Sequence, residues 1–153
     1  MYFNHQKLSC KETALQLLSR RDYGEQELHR KLAGKGFSEN EIGEVLAYCH
    51  DLGYIDDIKF AQSQIRQHIS KGQGEIRIRQ ELKQKSVSET DIDMAFQDFD
   101  TDWYELARIS AMKKYRVLET VEPKEYARRV RFLQYRGFDF EQIQYALTPD
   151  SDE

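Results

Sequence analysis

The residue types that most often carry chemistry are few in this chain, and their spacing works against joint action. Cys49 and His50 are adjacent, a thiol beside an imidazole, the raw material of an activated nucleophile or of a zinc site. On a helix, however, successive side chains diverge by about 100°, so adjacency sends these two toward different surroundings. His5, His29 and His68 are scattered. No nucleophile stands with a base and an orienting group, and no carboxylate pair sits at a recognisable turn, so no catalytic residue and no metal ligand is expected. Cys10 and Cys49 are too few for a secreted disulfide framework and are expected to be thiols that serve packing.

Ion and nucleotide loops fail on particular residues. Asp98-Phe99-Asp100-Thr101-Asp102 opens like a calcium loop, but Trp103 takes the place of the sharp-turn glycine and Ile109 that of the bidentate glutamate. Gly34-Lys35-Gly36 and Gly72-Gln73-Gly74 resemble pieces of phosphate loops without a preceding strand, and no Gly-x-x-x-x-Gly-Lys-Ser/Thr sequence occurs. No cofactor is expected, and the chain is read as a non-enzyme.

What remains is charge. The 153 residues are 33% charged with a net charge of −4, which argues against a simple nucleic-acid coat, since phosphate binding is dominated by clustered lysine and arginine. The distribution is uneven: seven acidic and no basic residues lie between Val87 and Glu105, then nine basic residues and three glutamates between Arg108 and Arg136. Such asymmetry predicts a polarised surface. Arg77, Arg79, Lys83, Lys113, Lys114, Arg128, Arg129, Arg131 and Tyr135 form the candidate partner-binding face, because arginine and tyrosine are common interface anchors. No stretch approaches the roughly 18 apolar residues of a membrane span, and no basic-then-apolar leader with a cleavage site stands near the start. A cytoplasmic monomer without membrane contact is expected.

These side chains must be positioned by helices. Lys35-Gly36-Phe37-Ser38-Glu39-Asn40-Glu41-Ile42 returns as Lys85-Ser86-Val87-Ser88-Glu89-Thr90-Asp91-Ile92 and as Arg136-Gly137-Phe138-Asp139-Phe140-Glu141-Gln142-Ile143, at spacings of 50 and 51 residues. Ser38, Ser88 and Asp139 can each cap a helix, with Glu41, Asp91 and Gln142 three residues on as reciprocal partners, aspartate being the weakest. Phe37, Val87 and Phe138 stand five residues before Ile42, Ile92 and Ile143, the spacing of a hydrophobic staple.

An amphipathic helix precedes each turn, carrying Leu28 and Leu32, then Ile78 and Leu82, then Tyr126, Val130 and Leu133, with Pro123 suited to the first turn of the last. Another helix precedes each pair: Cys10 to Arg21 around Ala14, Leu17 and Leu18, Asp57 to Ser70 around Phe60, Ile65 and Ile69, and Trp103 to Tyr115 around Leu106, Ala107 and Met112. The fold class is therefore all-α: three tandem three-helix, helix-turn-helix-like repeats over residues 1–54, 55–99 and 100–153, stacked in an elongated, curved array. Phe37, Trp103, Tyr104, Phe132 and Phe138 are expected in the core.

Several segments resemble the RecX family of recombination regulators over about Lys11 to Leu147. They are Leu18-Ser19-Arg20-Arg21 with Glu27-Leu28-His29-Arg30-Lys31-Leu32, then Leu52-Gly53-Tyr54-Ile55-Asp56-Asp57-Ile58-Lys59-Phe60-Ala61, then Lys71-Gly72-Gln73-Gly74, and finally Arg131-Phe132-Leu133-Gln134-Tyr135-Arg136-Gly137-Phe138. The second, similar to the family's Gly-x-Ile/Leu-Asp-Asp-x-x-Phe-Ala junction, is the most specific. Ser86 departs from a usual glycine and Tyr135 from a common arginine. The resemblance implies a partner, the filament of a RecA-type recombinase, whose ATPase, growth and strand exchange would be inhibited, with a weak single- or double-stranded DNA contact. A helix-turn-helix-like DNA-binding module without a recombinase partner, or a helical adaptor for another protein, is what the repeats alone also permit. Against the DNA-binding module, the third helices open acidic, where base and phosphate contacts would need donors.

Overall fold

A computed structural model describes residues 7–116, 118, 119 and 121–149. Among these residues it has nine helices and no strand: α1 Cys10–Leu18, α2 Glu25–Gly34, α3 Glu39–Asp51, α4 Asp57–Ser70, α5 Glu75–Gln84, α6 Glu89–Phe96, α7 Trp103–Tyr115, α8 Pro123–Tyr135 and α9 Phe140–Leu147. Bounds of α4 and α7 are those read from the sequence. Helix α1 is shorter than expected. It stops at Leu18, where the Ser19 hydroxyl donates to the Gln16 carbonyl at 2.6 Å, the local side-chain bond with which serine competes against helix continuation.

The repeated caps form as their chemistry requires. Ser38, Ser88 and Asp139 accept from the amides of Glu41, Asp91 and Gln142. The reciprocal bond closes for Glu41 and Gln142, whereas the cap at Ser88 has only its forward bond, because the Asp91 side chain is one methylene shorter than glutamate. Before each cap the chain turns in the same way. The amides of Phe37, Val87 and Phe138 donate back to the carbonyls of Leu32, Leu82 and Leu133 at 3.3, 3.1 and 3.1 Å. This closure requires a left-handed residue between, and Gly36, Ser86 and Gly137 supply it at φ of 93°, 64° and 98°. Serine at that position carries the steric cost that glycine avoids.

Each unit has its own core. The first gathers Ala14, Leu28, Leu32, Ile42, Cys49 and Ile55, the second Phe60, Ile65, Ile78, Leu82 and Ile92, and the third Ala107, Ala111, Leu133, Phe138 and Ile143. Ile55, one residue beyond the expected first boundary, thus packs into the first core, and Trp103 of α7 lies against the second. Three apolar expectations for the third unit fail. Met112, Tyr104 and Tyr126 are 47%, 40% and 41% exposed. In this unit α7 packs chiefly on α9, so α8 contributes only Leu133 to full burial and the amphipathic side chains at the edge stay wet. Phe37, Trp103 and Phe132 are half-buried, and Phe138 is buried.

Extensive helix packing occurs within units, not between them. The units meet at two joints. At the first, Gly53 turns the chain at φ 72°, Ile55 anchors in one core, Asp56 caps α4, and Asp57 reaches back to accept from the Glu25 amide at 2.9 Å. Phe60 and Ala61 then enter the next core. The most specific motif of the sequence is therefore a connector, in which Gly53, Ile55, Asp56, Asp57, Phe60 and Ala61 each have a structural task. At the second joint, the Gly74 and Ile76 amides donate to the Arg136 and Gly137 carbonyls at 2.8 and 3.2 Å, so the start of α5 satisfies the carbonyls left over at the end of α8.

Candidate functional site

The nine candidate side chains fall into three groups. On α5, Arg79 pairs with Asp93 at 2.6 Å and with Glu75 at 3.8 Å, and Lys83 pairs with Glu89 at 2.8 Å, so both face α6 and are already neutralised. Arg77 turns the other way. It pairs with Glu81 at 3.7 Å and lies 5.0 Å from the ring of Tyr135, which is 75% exposed. On α8, Arg128 and Arg129 share Glu125, each at 3.3 Å. Arg129 also stacks 4.5 Å over Tyr115, and that contact makes it a brace between α7 and α8 rather than an open contact residue. Arg131 is exposed. The structure joins Arg77 to Tyr135 and leaves Arg79, Lys83, Arg128 and Arg131 outside one site.

Lys113 and Lys114, at the end of α7, behave differently. With Lys71 and Arg136 they line a groove of about 270 Å³ at the second joint. Its floor is Ile69, Leu106, Ile109 and Phe132, with Ser70, Gly72 and Ser110 completing the wall, and among the described residues no acid lines it. The cations are placed by backbone geometry. Gly72 ends α4 at φ 77°, the Ser110 hydroxyl donates to its carbonyl at 2.9 Å, and the Arg136 Nη1 donates to the Lys71 carbonyl at 2.8 Å. Phe132 has two cations near its ring, Lys114 at 5.3 Å and Arg136 at 5.1 Å from the ring centre, and Tyr115 meets it edge-on at 5.7 Å. Burial, with Glu125 nearby as the next cause, raises the Tyr115 hydroxyl above its ordinary pKa.

Lys71 and Arg136 were not among the sequence candidates. A signal for them exists: a basic residue stands immediately before each turn glycine in Lys35-Gly36, Lys71-Gly72 and Arg136-Gly137. The groove at the first joint has the opposite sign, lined by Glu25, Asp56, Asp57 and Asp91 with His50. Asp57 and Asp56 are committed there to capping α2 and α4. Among the described residues no three His, Cys, Asp or Glu side chains group as metal ligands. Cys10 and Cys49 are buried thiols of the first core; burial, before any charge nearby, raises both above the ordinary thiol pKa.

Comparison with known proteins adds a family to this geometry. Family models described as the first, second and third three-helix domains of RecX match residues 10–49, 56–95 and 100–147. The chain is 54% identical over 146 residues to the regulatory protein RecX of Vibrio campbellii, covering 95% of this chain and 94% of that one. It is 41% identical over 143 residues to the regulatory protein RecX of Cronobacter sakazakii, at 87% of each. A crystal structure of regulatory protein RecX superposes with a TM-score of 0.77 at 27% identity, covering 90% of this chain and 69% of that chain. The RecX crystal structure from Lactobacillus salivarius shares the fold at a TM-score of 0.75 and 22% identity, covering 90% and 92%. The relatives are named regulatory proteins, not enzymes, and among the described residues no helix is long and apolar enough to cross a membrane.

Proposed function

The chain belongs to the RecX family of regulatory proteins, and from that premise we propose that it binds the filament of a RecA-type recombinase and inhibits its ATPase, growth and strand exchange. Recombination and DNA repair are modulated as a result. The observation that best supports a protein-filament partner is the acid-free basic groove of the second joint, set on a stack of units able to touch successive subunits of a repeating surface. The protein acts in the cytoplasm as a monomer, without catalysis of its own. Arg77, Tyr135, Lys113 and Lys114 make the contact, and Arg79, Lys83, Arg128, Arg129 and Arg131 shape the field around it. Any DNA contact is weak and uses the second helix of each unit, because α3, α6 and α9 open with Glu39 and Glu41, Glu89 and Asp91, and Glu141, the wrong charge for phosphate.

The test is the single-strand-stimulated ATPase rate of the same cell's recombinase during titration with this protein, with filament mass followed in parallel. Inhibition accompanied by association is expected. Inhibition far below one regulator per recombinase subunit assigns end capping, and inhibition only near saturation assigns groove binding. The absence of both inhibition and association at low salt overturns the proposal, and tight duplex binding without a recombinase effect replaces it with the DNA-binding module.

A further inference from the structure

We propose that the groove of the second joint is a receptor for a short acidic peptide segment of a protein partner. Its carboxylates pair with Lys71, Lys113, Lys114 and Arg136, and an apolar side chain of the segment rests on Phe132. The inference deepens the proposed function by naming the chemistry recognised, and rests on that reading only for which protein carries the segment.

Three observations carry it. The groove concentrates four cations with no acid among the described residues that line it, although the protein as a whole has a net charge of −4 and pairs its other candidate cations Arg77, Arg79, Lys83, Arg128 and Arg129 with its own glutamates and aspartates. Uncompensated like charges oppose folding, and a ligand of opposite sign relieves them. Two of the cations are also held in place: Arg136 by the Lys71 carbonyl and the Phe132 ring, and Lys114 by its own contact to that ring. Arg136 keeps its remaining guanidinium donors for a carboxylate, which it can grip at two points.

Size and surroundings decide between a peptide and a nucleic acid. A cavity of about 270 Å³ accepts a few side chains, and beyond it Arg77, Arg79, Arg128 and Arg129 are paired with the protein's own carboxylates, while Arg131 is exposed. A sugar-phosphate backbone repeats its charge and needs a continuous cationic track. A short segment with carboxylates flanking an apolar residue matches both the charge and the apolar floor.

The experiment uses the full chain and fluorescence anisotropy of a labelled peptide of glutamate and aspartate around one phenylalanine, beside labelled oligothymidine. Saturable peptide binding that weakens with salt is expected, about tenfold weaker in the double variant Lys113→Gln/Lys114→Gln and unchanged in Lys31→Gln/Lys35→Gln, which removes the same charge from the first unit. Circular dichroism confirms that both variants fold. Absent peptide binding, equal loss in the two variants, or oligothymidine held more tightly than peptide and lost in the first variant alone each overturns the assignment. The two readings fail separately: peptide binding without recombinase inhibition removes only the proposed partner, and inhibition without peptide binding removes only the peptide groove.

Discussion

The two joints occupy equivalent places in the repeat and are built from opposite materials. Gly24 and Gly74 are the N-caps of α2 and α5, and neither has a side chain to supply the capping bond. At the first joint a side chain from the next unit fills the gap, Asp57 accepting from the Glu25 amide, helped by Arg30 donating to Ser86 at 2.9 Å. At the second, backbone meets backbone. A methyl group on Gly24 would meet the Phe60 ring at 3.1 Å, whereas one on Gly74 would lie 2.4 Å from the Gly137 carbonyl oxygen. The buried Phe60 ring need give only a few tenths of an ångström, whereas the Gly137 carbonyl, held at the end of a helix, would have to be displaced outright. The first joint is thus an adjustable side-chain clasp in an acidic setting, and the second a fixed weld around which four cations are gathered. In a binding protein, fixed geometry belongs where recognition takes place.

The contrast breaks first at the glycines. Gly74→Ala should destabilise the protein by about 2–4 kcal/mol through overpacking and loss of the joint's hydrogen bonds. Gly24→Ala should cost about 1 kcal/mol or less. Urea unfolding of the pair measures both, and equal losses would remove the distinction between clasp and weld. Asp57→Ala comes next, at about 1 kcal/mol for a lost cap. Amide hydrogen exchange should show faster exchange at the start of α2 and none at α5, and a change reaching α5 would mean that the joints are not independent.

Much of this organisation was legible because it is local. Caps, staples and the left-handed closing residue are set within one turn of chain, so Ser38, Phe37 and Gly36 announce themselves in order. Lys113 and Lys114 stood in the sequence as two of nine candidate contact residues, with nothing to set them apart from Arg79 or Lys83. The weld was not readable: Gly74 offers no capping side chain, and its acceptors Arg136 and Gly137 belong to another unit. Lys71 and Arg136 were hidden with it, since it takes contacts between units to bring the ends of α4 and α8 together. Tyr104, Met112 and Tyr126 misled because helical spacing marks a face but not how much of the face its neighbours cover.

A smaller effect sharpens the account of the turns. Ser86→Gly should stabilise by about 0.5–1 kcal/mol, because φ 64° is costly for serine and open to glycine; thermal unfolding at matched pH measures it. Destabilisation would show that the Arg30 bond to Ser86 matters more to the first joint than the turn's strain. The smallest effect concerns the first unit alone. Folded Cys10 and Cys49 hold their protons to higher pH than unfolded thiols. Their contribution is therefore complete below the ordinary thiol value of about 9 and is lost as pH rises through the raised folded values. Stability should decline above about pH 9, and thiol alkylation at pH 8 should be limited by unfolding; rapid alkylation of folded protein would contradict the buried assignment.

The most direct test compares inhibition of the recombinase ATPase by the native chain, by Lys113→Gln/Lys114→Gln and by Lys31→Gln/Lys35→Gln at low and moderate salt. Weaker inhibition by the first variant alone, with the difference shrinking as salt rises, is the predicted result. Equal inhibition by all three proteins would contradict the claim that the second joint is where this regulator meets its partner.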